Sequence, residues 1–305
     1  AAWPRNPIDH FVLASLEAAD LSPSPETDRT TLIRRLHADL TGLPPEPAAV
    51  DAFTSNPAPD AADLLTDQII ASPHYGERMA LPWLDAARYA DSNGFQQDGD
   101  THQYIWRDWV VRALNNDMPF DRFSIEQLAG DLLPNPSEDQ LVATAFNRNH
   151  LLNGEGGAIA EEQRNVILFD RVDTTATTWL GLTVACSQCH DHKYDPITMR
   201  DYYSMFALFN NVPESGVPPG GGQYRIADPW IAVGTDSDKA TLKSLEAALA
   251  AARQSEQEIA QSPATRDAFA STEAALAANT PVDWAILKPA TLAATGGCLL
   301  YTSPS

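Results

Sequence analysis

The sequence predicts a mostly α protein: a helical domain followed by a helical-hairpin or coiled-coil spacer. Three observations carry this reading. Apolar residues recur every three or four positions in nearly every patterned segment, and strict alternation is scarce. Beyond a Pro- and Gly-dense break at 210–224 the composition turns Ala-rich with a seven-residue repeat.

The elements follow in order. In "NPIDHFVLASLEAADL", Ile8, Phe11, Val12 and Leu16 share a face, and Asn6 with Pro7 suits an N-cap and first turn. In "DRTTLIRRLHADLTGLPP" the stripe is Leu32, Ile33, Leu36 and Leu40, stopped by Gly42, Pro44 and Pro45. Short helices are expected around 46–54 and 60–71. "SPHYGERMALPWLDAARYADSNGF" carries Trp83, Leu84, Ala87 and Tyr89, with Pro82 starting or kinking a helix. "YIWRDWVVRALNND" and "FSIEQLAGDLLP" are amphipathic. "AEEQRNVILFDRVDTTATTWLGLT" predicts a long buried helix running straight into a pair of cysteines, and "ITMRDYYSMFALFNN" a helix after them. In the spacer, Leu242 and Leu249 fit one heptad position and Leu245, Ala252 and Ile259 another, with Glu256 breaking the first series. "SPATRDAFASTEAALAAN" reads as its antiparallel partner.

Composition narrows the function classes. The 305 residues are 44% hydrophobic, enough for a real core. With 20 basic against 41 acidic side chains the chain carries −21 at pH 7, which repels nucleic acid and anionic lipid. No apolar run approaches the roughly 20 residues that span a bilayer. Three cysteines do not make a disulfide framework.

The chemistry concentrates in "VACSQCHDHKYDP", residues 184–196. Cys186 and Cys189 stand three apart and His190 follows directly. Zinc wants two well-separated ligand pairs, whereas Cys186, Cys189, His190 and His192 crowd into seven residues. A redox dithiol wants a helix N-terminus inside a βαβ unit, and the flanks offer helix without strand. Covalent c-type haem fits each residue: one turn aligns two thiols for the two vinyl groups of one porphyrin, and His190 ligates the iron. The expected cofactor is therefore a single haem c held by Cys186 and Cys189, with His190 as proximal ligand. A further group should hold the imidazole's other nitrogen. Candidates for the sixth ligand are Met199 and Met205 downstream and His150 upstream.

Two other groupings are candidates of lesser weight. Glu155, Glu161 and Glu162 surround a glycine turn, but lack calcium-loop spacing and suit a helix's first turn. Asp170, Arg171 and Asp173 suit ion pairs, and Arg171 also suits a haem propionate. No Ser-His-Asp elbow or phosphate-binding loop is present.

Several long blocks resemble a known family. "RRLHADLTGLPP", "YGERMALPWLDAARYADSNG", "YIWRDWVVRALNNDMPFDRFSIEQLAGDLLP" and the stretch from "EEQRNVILFD" through "CSQCHDHKYDPITMRDYYSMFALFNN" are similar to the planctomycete cytochrome C family, in its large domain of unknown function. The resemblance covers about residues 6–215, and the family's haem motif lands on Cys186, Cys189 and His190. It implies an exported protein, periplasmic or at the cell surface, with a separate cytochrome domain as redox partner and a link to polysaccharide breakdown. Met79 stands where many members have Trp, and the upstream cytochrome domain is missing. The expected organisation is a haem-motif domain at 1–215, a linker at 216–237, the spacer at 238–279 and the start of a truncated next domain at 280–297. The tail 298–305, "CLLYTSPS", looks like translated adaptor, so Cys298 receives no role. The expected function is electron transfer within a larger surface or periplasmic protein. Alternatives are a haem enzyme with an open sixth position, acting on peroxide or a saccharide, and a scaffold or binding module of polysaccharide degradation.

Overall fold

The computed structural model describes residues 3–94, 98–153, 155, 157–217 and 228–279. It is mostly helical, as the periodicity predicts, with twelve α-helices and no strand beyond an isolated bridge between Ser92 and Asp100 among the described residues. The chain divides into two compact units, Ala1–Ile231 and Ala232–Ser305.

The first unit begins with α1 (Pro7–Ala18), capped by Asn6 in a reciprocal box with Asp9. The cap matches the sequence signal, but the apolar stripe does not go inside: Ile8 and Phe11 are 71% and 77% exposed. α2 (Arg29–Leu40), α3 (Pro47–Ser55) and α4 (Ala61–Ile70) enclose a small cluster around Ile33, Phe53 and Ala61. α5 (Pro73–Ala86) starts at Ser72, and Pro82 lies inside it rather than at its start.

The main core forms where α5 meets α6 (Tyr104–Asn115), α7 (Phe120–Ala129) and α8 (Glu138–Ala143). α6 supplies Trp106, Trp109, Val110 and Ala113, all buried, against Leu84, Phe123, Val142 and Phe146. α8 is a helix that the pattern reading passed over. It is only six residues long, too short to show periodicity, and rests on a Ser137–Gln140 capping box.

α9 (Ala160–Thr175) does not run straight into the cysteines. It widens into a π-turn at Ala176–Leu180 and stops at Gly181, whose φ of 63° is the left-handed conformation that glycine adopts without strain. The turn is fixed from the main core. Trp179 packs edge-on against Phe146 and Trp83 and donates its indole N–H to Ser124, while the Thr178 hydroxyl bonds the Ala86 carbonyl. A 3-10 turn at Ala185–Gln188 follows, then α10 (Met199–Phe209), capped by Thr198. α9 and α10 share a second, smaller core of Val172, Ala176, Val184 and Tyr202, with Phe169, Ile197, Met205 and Phe206 against it.

The second unit contains α11 (Asp236–Gln261) and α12 (Pro263–Asn279), meeting at Ser262. Both spacer helices expected from the sequence are present, and α11 buries no residue. Of the linker expected at 216–237, residues 218–227 lie outside the described residues, and its last two, Asp236 and Ser237, belong to α11. The segments 280–297 and 298–305, with Cys298, lie wholly outside them.

Candidate functional site: the Cys186–His190 turn

The segment between Gly181 and Thr198 is held to the small core at a few points and exposes the rest. Val184 is buried in that core. Ser187 is fully buried: its N–H donates to the Val184 carbonyl at 2.8 Å and its hydroxyl to the Ile197 carbonyl at 3.3 Å. The His192 N–H also reaches the Ile197 carbonyl, at 2.8 Å. From α10, the Tyr203 hydroxyl donates to the Gln188 carbonyl at 3.0 Å. These bonds satisfy polar backbone in a segment too irregular to satisfy itself.

Around Ser187 the reactive side chains face outward. Cys186 and Cys189 are exposed and carry free thiols. The turn between them is 3-10, and the Cys189 N–H reaches the Cys186 carbonyl at 3.3 Å. In that geometry side chains three apart eclipse one another, so both thiols lie along one edge of the turn. The His190 N–H shares the same Cys186 carbonyl, which draws His190 into the next position of the turn.

The His190 imidazole is exposed, and its Nδ1 lies 2.8 Å from the Asp191 carbonyl. A carbonyl only accepts, so Nδ1 carries the proton and Nε2 presents its lone pair. Asp191 also braces the next element, since its carboxylate accepts the Met199 N–H at 2.9 Å. The group expected to orient the imidazole is therefore the neighbouring backbone. No residue-type signal could have revealed it, because any residue supplies a carbonyl.

His192, next in the motif, faces a different task. Its Nδ1 accepts the Asp195 N–H at 3.0 Å and sits 3.1 Å from the Asp195 carboxylate, so it closes its own tight turn. Among the described residues no three His, Cys, Asp or Glu side chains are gathered as a metal site.

The three candidates for a sixth ligand are placed differently. Met199, 39% exposed, opens α10 beside Asp191. Met205 packs into the small core. His150 is buried, and both its ring nitrogens are engaged: Nδ1 donates to the Leu151 carbonyl at 3.0 Å, and Nε2 accepts from Arg171 at 3.2 Å. Burial first, then the Arg171 charge, holds the His150 pKa well below the usual histidine range, so the ring is neutral.

That bond belongs to a buried ion cluster. Arg171 forks onto Glu214 with contacts of 2.5 and 2.7 Å, and its Nε donates to the Asn147 carbonyl at 2.8 Å. The guanidinium suited to a haem propionate is thus committed to protein partners. Arg148 stands 3.8 Å from the same Glu214, its pKa lowered by burial and by the neighbouring Arg171 charge. Glu214 was unreadable as a site residue because it lies in the Pro-rich break, 43 positions from its partner. One residue earlier on α9, Asp170 takes a two-pronged contact from Arg88. Burial raises the Asp173 pKa.

The acidic candidates are dispersed. Glu161 and Glu162 occupy the first turn of α9, where Glu161 pairs with Arg164 at 2.9 Å. Glu155 is exposed, in a loop of which Gly154 and Gly156 lie outside the described residues.

No curated protein and no solved structure matches the chain. The family model of PSCyt2, described as a protein of unknown function (DUF1549), matches residues 7–214. That span opens with α1 and closes on Glu214, the residue that locks onto α9, and it takes in well over half of the 305 residues. The chain therefore belongs to the PSCyt2 family of proteins of unknown function, DUF1549.

Proposed function

We propose that the Cys186–His190 turn binds one haem c and that the domain passes electrons within a larger exported protein, periplasmic or at the cell surface. One observation carries the reading: two exposed thiols share one edge of a 3-10 turn, directly before an exposed imidazole with a free Nε2. Cys186 and Cys189 would hold the porphyrin covalently and His190 would ligate its iron. The Nδ1–H bond to the Asp191 carbonyl fixes the tautomer and makes the imidazole a more basic ligand. Bound haem supplies a one-electron couple whose potential follows from the axial ligands and local polarity. Its electron partner would be another haem domain of the same exported system.

The sixth position separates electron transfer from small-molecule chemistry. His150 and Met205 are tied into packing, which leaves Met199 as the candidate with an exposed side chain. A Met199 ligand suits electron transfer; an open position suits a haem enzyme.

The test is expression in a host with a cytochrome c maturation system. The reading expects a haem-staining band that survives denaturation, lost in Cys186→Ala/Cys189→Ala. A low-spin spectrum that turns high-spin in Met199→Ala assigns the sixth ligand, and a high-spin spectrum from the outset favours the enzyme reading. A colourless protein under conditions that mature a control cytochrome overturns the proposal.

A further inference from the structure

The second unit carries a feature that the haem reading does not use. Leu242, Leu245, Leu249 and Ala252 follow a 3-4-3 spacing, and Ile259 falls seven residues after Ala252. With Leu242 at heptad position a, Leu249 and Glu256 are also a, while Leu245, Ala252 and Ile259 are d. Among the described residues, nothing in the unit covers this seam. Leu242, Leu245, Leu249 and Ile259 are 46%, 62%, 52% and 63% exposed. The hollow between the two helices is lined by Ala260 of α11 and by Thr265, Arg266, Phe269, Ala270 and Glu273 of α12, so it lies at the Ser262 junction. α12 therefore leaves the leucine-bearing part of α11 bare.

The pattern of charges says what fits there. A parallel pairing with the same helix of a second copy would place Glu256 against Glu256 in a core layer, which is repulsive and desolvated. It would also set Glu246 and Arg253, both at position e, against Thr241 and Ala248 at position g, with no charge pair. An antiparallel pairing removes both faults. With Leu242 facing Ile259 and Leu249 facing Ala252 of the second copy, Glu256 meets Leu245, where its long stem packs and its carboxylate reaches water. The same register puts Glu246 opposite Arg253 of the second copy, and the two-fold axis repeats the pair. Within one helix these two residues are seven apart and do not meet. The seam is thus self-complementary in one orientation and one register.

We propose that α11 pairs with α11 of a second copy of this chain as a short antiparallel coiled coil, centred between Leu249 and Ala252. The contact rests on α11 alone and is independent of haem. With about three heptads, association falls on the order of micromolar.

Sedimentation equilibrium of the 305-residue chain under reducing conditions tests it. The expected result is a monomer–dimer equilibrium that Cys186→Ala/Cys189→Ala leaves unchanged. Leu245→Glu/Leu249→Glu should give monomer throughout. Glu246→Arg should raise the dissociation constant roughly tenfold, and Glu246→Arg/Arg253→Glu should return it to within about threefold of the starting value. A chain that is monomeric at every concentration, or a dimer that survives Leu245→Glu/Leu249→Glu, overturns the proposal. A dimer that the double charge swap fails to rescue overturns the antiparallel register.

Discussion

His190 and His150 are both imidazoles whose Nδ1 donates to the carbonyl of the following residue, at 2.8 and 3.0 Å. Their surroundings make them opposites. The His190 imidazole and the two thiols before it face solvent, which leaves Nε2 free to ligate. Around His150 the Arg171–Glu214 pair is buried and its Nε2 is filled by Arg171. The comparison teaches that ligand capacity depends on where the second nitrogen points, which residue type and spacing do not encode. It also separates two kinds of sensitivity: the buried cluster should govern stability, and the exposed turn should govern binding.

The strongest way to break that division is to remove one side of the buried pair. Arg171→Leu leaves the Glu214 carboxylate desolvated without its guanidinium. A buried pair broken on one side costs about 3–5 kcal/mol. The urea midpoint should fall accordingly, while Arg200→Leu, at an exposed position of α10, should shift it little. A loss under about 1 kcal/mol in Arg171→Leu would show that the cluster is not the anchor of α9.

Next in size is Gly216→Ala. A Cβ there would lie 2.1 Å from the Arg164 backbone nitrogen and 2.2 Å from the Ala160 carbonyl oxygen, so the segment carrying Glu214 would have to lift off α9. Overpacking against backbone costs about 1–3 kcal/mol. The haem attachment proposed for Cys186 and Cys189 should be unaffected, because their turn is pinned through Ser187 and Tyr203 instead. Urea denaturation with haem staining reads both effects.

The pH dependence of stability tests the buried side of the comparison. The folded His150 pKa lies below its unfolded value, because burial and the Arg171, Arg148 and Arg88 charges oppose protonation. Between those two pKa values the unfolded chain binds a proton that the folded chain does not. The His150 contribution is therefore fully present above about pH 6.5 and is lost as pH falls below it, by up to about 1.4 kcal/mol per pH unit. His150→Gln should flatten the unfolding free energy between pH 6.5 and 5. Equal slopes in the parent and His150→Gln would show that His150 protonates freely in the folded state.

Much of the helical scaffold was legible in the chain, for local reasons. The Asn6–Pro7 start of α1, the stop of α2 before Gly42 and the Trp-bearing stripe of α6 are written in a few adjacent residues. The thiol spacing and the following histidine were legible in the same way, because a turn brings residues three and four apart together. What escaped was long-range or conformational. Periodicity gave α1 an apolar face but not the exposure of Ile8 and Phe11 among the described residues. The same pattern reading extended α9 through Gly181, where the left-handed turn ends it. Glu214 became visible only when the fold brought it to Arg171. The tautomer of His190 depends on one carbonyl direction.

The smallest expected effect tests the exposed side of the comparison. Cys186→Ser/Cys189→Ser changes two exposed thiols into hydroxyls of nearly the same shape. The turn keeps its anchors, since Ser187 reaches the Val184 and Ile197 carbonyls and Tyr203 reaches Gln188 through atoms that the substitutions do not touch. Surface changes away from such anchors stay within about 0.5 kcal/mol. The apo variant should therefore unfold at the parent's urea midpoint while losing all covalent haem. This pairing of no stability change with complete loss of binding is the inverse of Arg171→Leu, which should lower stability and keep the attachment chemistry intact. If the serine variant unfolds well below the parent without haem, the thiols are packing groups after all, and the separation between a stabilising cluster and a binding turn fails.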